Sequence, residues 1–116
     1  MATNSEIAFN PQGQTVVVAA AASAPAGVQI PMAYTPSDGL CQYRVINTGI
    51  VTVFLGVGTT ANAAQTNAVA PVAGTPSNAI PLVPGAVEIF NLAPNTFFSG
   101  LASASTTVYI TPGQGL

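Results

Sequence analysis

The chain has no His, no Lys and no Trp, one Arg, one Cys and three carboxylates among its 116 residues. Each shortage removes a class of function. Without imidazole, and with carboxylates only at Glu6, Asp38 and Glu88, no nucleophile, base and orienting group can be assembled into a catalytic set, and an enzyme is not expected. Metal binding through imidazole or thiolate clusters goes with it, and no cofactor is expected. One cation cannot neutralise the phosphates a nucleic acid presents, nor make a polybasic segment for a membrane surface, so neither partner is expected. Cys41 cannot close an internal disulfide and has no His to accept its proton; it reads as a small buried core residue.

Long apolar runs are missing too. The longest aliphatic stretch, residues 16–22, is far below the ~20 residues a bilayer requires. That stretch, followed by Ala22-Ser23-Ala24, has the outline of an export-signal core with a small-residue cleavage site. The residues before it carry Glu6 and no Lys or Arg, so the positively charged start of such a signal is absent.

What remains is apolar and neutral: 49% hydrophobic, 3% charged and a net charge of −2, with a mean hydropathy of +0.54. Disordered chains combine low hydrophobicity with high net charge, so this composition points to a packed core and one domain. A folded monomer of this mass exposes about 5,800 Å², over which an average composition spreads roughly 25% charged residues. Here that surface has to be built from Thr, Ser, Asn, Gln, Ala and backbone amides, which hydrate without the repulsion that keeps monomers apart. Either much of it is covered by partners, or the protein is poorly soluble alone.

Turn residues are dense and evenly spread, and the stretches between them are short and rich in Val, Ile, Thr, Phe and Tyr. Strands are expected over 15–22, 28–34, 40–47, 51–57, 80–83, 86–92, 96–101 and 106–111, with no helix. The pattern predicts an all-β chain, an antiparallel β-sandwich or jelly-roll-like barrel over 15–116, with residues 1–14 as an extended N-terminal arm. Residues 58–77, chargeless and rich in Ala, Thr and Asn, read as a long surface loop contributing little buried area. Gly56-Val57-Gly58 has no following Gly-Lys-Ser/Thr and reads as a turn after a strand, not a phosphate loop.

Alternation at period two sorts the strand faces. Cys41, Tyr43 and Val45 are expected inside and Gln42, Arg44 and Ile46 outside; Val51, Val53, Leu55 and Val57 inside, with Thr52 and Phe54 opposite. Val87 and Ile89 oppose Glu88 and Phe90, and Val108 and Ile110 oppose Thr107, Tyr109 and Thr111. Tyr109 is expected on an outer face beside Phe54 or Phe90, these aromatics acting as interface anchors. Arg44 and Glu88, each in the middle of a neutral strand, are expected to pair within the fold or across a subunit contact, or else to stand as two solvated charges.

Three segments carry a resemblance. Arg44-Val45-Ile46-Asn47-Thr48-Gly49 leading to Val53-Phe54-Leu55-Gly56 and Gly58, then Pro84-Gly85-Ala86-Val87-Glu88-Ile89-Phe90, then Val108-Tyr109-Ile110-Thr111-Pro112-Gly113-Gln114-Gly115 resemble small structural proteins of tailed bacteriophages. The resemblance implies a protein that decorates or cements the capsid surface of the virion, or a small head or tail component. Its implied partners are the major capsid protein and further copies of itself, with trimers frequent. The alternative from another class is a secreted carbohydrate-binding or adhesive β-sandwich module. That reading is weakened by the absence of Trp and the shortage of carboxylates.

Overall fold

Eleven glycines and ten prolines cut the chain into short segments, most of which suit brief strands and tight connections. The computed structural model describes residues 9–31 and 40–114. The beginning of the expected arm with Glu6, the end of the strand expected over 28–34, and Asp38-Gly39 lie outside the described residues.

Among the described residues, nine strands form one sheet: β1 (Asn10–Pro11), β2 (Val16–Ala21), β3 (Val28–Gln29), β4 (Cys41–Asn47), β5 (Val53–Gly58), β6 (Ile80–Leu82), β7 (Val87–Leu92), β8 (Phe97–Ala102) and β9 (Thr106–Gln114). The order across it is β6-β5-β8-β2-β9-β4-β7, with β1 added to β9 and β3 to β8. The fold is all-β, a curled mixed sheet forming a half-barrel. It is not purely antiparallel, and topology explains why. The consecutive strands β8 and β9 do not pair with each other; β2 lies between them, so it runs antiparallel to β9 and parallel to β8. Residues 16–22, with their passing likeness to an export signal, thus supply a central strand. The described end of the arm is a strand on this chain's own β9, held further by Gln12 N–H donating to the Pro112 carbonyl at 2.9 Å.

The inner face carries the core: Val18 and Ala20, Cys41, Tyr43 and Val45, Val53 and Leu55, Leu82, Phe98, Val108 and Ile110 are all buried. Tyr43 and Phe98 meet edge-to-face at 5.1 Å although β9 and β2 separate their strands in the sheet, which only a curled sheet allows. The two sheet edges, β6 and β7, are joined by the turn Val83-Pro84-Gly85-Ala86, in which Ala86 N–H donates to the Val83 carbonyl. Gly85 has φ +81°, the left-handed value a type II turn requires after proline.

Asn47 locks this seam. It is fully buried at the end of β4, and its Nδ2 donates to the carbonyls of Leu82 (2.9 Å), Val51 (3.0 Å) and Val83 (3.3 Å). Its Oδ1 accepts from Gly49 N–H at 3.0 Å, while its own amide and carbonyl bond Ala86 and Gly85. One residue thereby ties the end of β4 to the end of β6 and to the turn that follows it, and satisfies their backbone groups.

The stretch expected to be a long loop contains a helix, α1 (Ala61–Asn67), capped by Thr60 Oγ1 accepting from Ala63 N–H at 3.0 Å. Small side chains are the reason it forms, not a reason against it. α1 lies on the outer face of β5 over Gly56 and Gly58, where a Cβ on Gly58 would stand 2.7 Å from Ala64 N and one on Gly56 would collide with the Ala64 carbonyl. Ala64 and Ala68 are buried there. Gly56-Val57-Gly58 is therefore neither a turn nor a phosphate loop but the bare floor on which a helix sits. Gln65 Nε2 donating to the Ala24 carbonyl and Asn67 Nδ2 to the Val57 carbonyl, each at 2.8 Å, fix the helix in place.

Candidate interaction surface

Among the described residues, the other half of the outer sheet face has no helix over it. Directly opposed residues on neighbouring strands project to the same side, about 4.5–5.5 Å apart at Cβ. The register therefore aligns Val87 of β7, Ile46 of β4, Tyr109 of β9 and Val17 of β2 in one row across four strands. Val17 is 52% exposed, Val87 49% and Tyr109 39%. A second row runs beside it: Ile89, Arg44 and Thr111, the last bonded through its hydroxyl to that of Thr15 at 2.6 Å.

Beyond this row the face opens into a groove of about 400 Å³ lined by Phe9, Pro11, Gly13, Thr15, Arg44 and Thr111. Phe9 stands over Gly113, where a Cβ would come within 2.6 Å of its ring. Arg44, exposed, is the single charge of this face among the described residues.

The expected anchors fall into three situations. Tyr109 is on the outer face as anticipated, but between Ile46 and Val17, not beside Phe54 or Phe90. Phe54 is on the outer face too, half-buried between Leu101 and Pro81 on the far side of the sheet. Phe90 is opposite Tyr43 and packs against the core; it is not an outer-face anchor. β7 thus turns Glu88, Phe90 and Leu92 inward and Val87 and Ile89 outward. Its alternation is apolar on both sides, and only the pairing with β4 decides which side is buried.

The same register corrects the charge pair. Arg44 is opposite Ile89, whereas Glu88 is opposite Val45, so the two charges occupy opposite faces of adjacent strands and do not pair within the fold. Both are exposed. Cys41 is a buried thiol in the core, as its composition context suggested. Next to it, burial and the Cys41 side chain push the Tyr43 phenol up to about 12, against a smaller lowering by Thr96. The Tyr43 hydroxyl donates to the Ala93 carbonyl at 2.8 Å and accepts from Thr96 N–H at 3.3 Å, which pins the β7–β8 connection.

Sequence reasoning missed Val17, Ile46, Val87 and Ile89 as one surface. Each is apolar in an apolar strand, and their union depends on strand order. It also missed Ile50, 92% exposed on the turn that Asn47 braces. Among the described residues no group of three or more His, Cys, Asp and Glu could hold a metal, and no helix is long and apolar enough to cross a membrane. No protein-family model matches the chain, and neither a curated protein nor a solved structure is significantly similar to it.

Proposed function

We propose that this chain is a non-enzymatic structural protein of a virus particle, a decoration or cement protein that docks on the head shell through the outer face of β7, β4, β9 and β2. The observation that carries the reading is the cross-strand row Val87, Ile46, Tyr109 and Val17, a partly exposed apolar surface with Arg44 beside it as the one charge among the described residues. Contiguous exposed apolar patches of this kind mark interaction sites on folded proteins. A shell that must hold many identical copies is well served by such a face: apolar and hydrogen-bonded contacts are nearly insensitive to salt, and Tyr109 offers both a ring and a hydroxyl. The assignment to a phage head rests on the resemblance of residues 44–58, 84–90 and 108–115 to such proteins, with the major capsid protein as the partner it implies.

Mass spectrometry of gradient-purified particles, followed by rebinding of the isolated protein to stripped particles, tests the proposal. The protein is expected in the particle in many copies, and Val17→Ser with Tyr109→Ser is expected to abolish rebinding while the fold is kept. Absence from particles together with no rebinding by the unaltered protein rejects the reading.

A further inference from the structure

The sheet ends in two edges that are built differently. β6 is three residues long and has Pro81 at its centre, a residue with no N–H to offer a further strand. Such an edge is blocked. β7 is six residues long, Val87 to Leu92, with no Pro and no Lys, and among the described residues it pairs on one side only, with β4. Phe90 and Leu92 pack against the core and anchor it. Proteins ordinarily protect such an edge with Lys, Pro, a bulge or a cover. This one carries a single charge, Glu88.

From this contrast we infer that β7 is the self-association edge of the protein: a second copy adds its own β7 antiparallel to it about a two-fold axis, continuing the sheet from one subunit into the other. A second copy is favoured over a foreign strand because the edge is self-complementary. The outer-face row ends on β7, so the two-fold joins two apolar surfaces into one, with Ile89 packing against Ile89 of the second copy.

Charge selects the register. A two-fold centred on Glu88 sets two carboxylates directly opposite each other, a destabilising arrangement. Centred one residue on, at Ile89, the same pairing places each Glu88 opposite a Phe90 and each Val87 opposite an Asn91. The two Arg44 side chains then lie three strand spacings apart, about 14 Å, beyond the ~8 Å screening length at physiological salt. Edge pairing of this kind makes a dimer, not the trimer that the bacteriophage resemblance suggests. It uses the backbone of β7, whereas shell docking uses side chains of the outer face, so the two can be tested apart.

The experiment is done on the isolated protein, without particles. Sedimentation equilibrium across 1–200 µM is expected, on the order of typical self-association ranges, to show a monomer–dimer equilibrium. Ile89→Lys, at an exposed site with the fold checked by circular dichroism, is expected to weaken it by about 100-fold or more. In a Cys41→Ala background, Ile89→Cys is expected to form disulfide-linked dimers under mild oxidation faster than Asn91→Cys, which is set opposite Val87 of the second copy and not opposite itself. The inference is overturned by a protein monomeric throughout the range, by a trimer as the associated species, by unchanged association of folded Ile89→Lys, or by equal cross-linking of the two cysteine variants. Loss of dimers with particle binding intact would leave the shell reading standing, and the converse would leave this one standing.

Discussion

The outer face of the sheet is covered at one end and open at the other, and the difference lies in the height of its floor. Over β5 the floor is Gly56 and Gly58, with Ser99 of β8 alongside, its hydroxyl donating to the Pro25 carbonyl at 2.5 Å. A helix of Ala, Asn, Gln and Thr settles directly on that bare backbone. Over β2, β9, β4 and β7 the floor is Val17, Tyr109, Ile46 and Val87, larger side chains over which, among the described residues, no helix is laid. A low floor admits a cover from the same polypeptide at close range. A tall apolar one leaves its side chains exposed, the kind of patch that marks interaction sites on folded proteins.

The sharpest way to break the contrast is to raise the low floor. Gly56→Val places branched carbons where the Ala64 carbonyl and the Ala68 amide now stand. Backbone cannot swing aside as a flexible side chain can, so α1 must lift. A loss of about 3 kcal/mol or more in denaturant unfolding is expected, with hydrogen-exchange protection of residues 61–67 abolished first. A variant with full stability and a protected helix would mean that the glycines are incidental.

Next in size is the seam that Asn47 holds between the end of β4 and the end of β6. Asn47→Ala leaves the carbonyls of Val51, Leu82 and Val83 without their shared donor and Gly49 N–H without its acceptor. A cost of about 2–3 kcal/mol is expected, since buried groups left unpaired carry their full desolvation penalty. The effect should reach Ile50 and the turn that carries it, visible as loss of amide protection at 48–52 and 83–86.

The core between the two halves has a pH signature. The Tyr43 phenol is pushed up to about 12 in the folded protein from an ordinary 10.0, so the folded state holds its proton more tightly than the unfolded state does. Its contribution is therefore complete below pH 10 and lost as pH rises from about 10 through about 12, with a slope approaching ~1.4 kcal/mol per pH unit. Unfolding free energies measured from pH 8 to 12 are expected to show this fall, and Tyr43→Phe to flatten it. A flat profile in the unaltered protein would mean that Tyr43 meets solvent.

Much of the fold was legible because period-two alternation is a strong signal where one face is plainly apolar and the other is not. β4 and β5 have that form, and Tyr43, Val45, Val53 and Leu55 are buried as the pattern says. β7 lacks it: Val87, Ile89, Phe90 and Leu92 fall on both sides, so only pairing could show that Phe90 is core and Val87 is surface. α1 was hidden because its Ala-rich stretch has no apolar stripe, its partner being the glycine backbone. The exposed apolar row was hidden for a related reason, since its residues come from four strands whose order depends on β2 entering between β8 and β9.

The smallest expected effect on stability is at the open end, and it is the one that separates a surface from a core. Val17 and Tyr109 are directly opposed on central strands, yet 52% and 39% exposed, so trimming them removes little that folding had buried. Val17→Ser and Tyr109→Ser are each expected to shift unfolding free energy by no more than about 0.5 kcal/mol. Their effect should appear in solubility and association instead, because the exposed apolar area they remove is what a partner would bury. If either substitution destabilised the isolated chain as much as Asn47→Ala, the row would be a structural face like the one under α1, and the distinction between a covered and an open half of the sheet would fail.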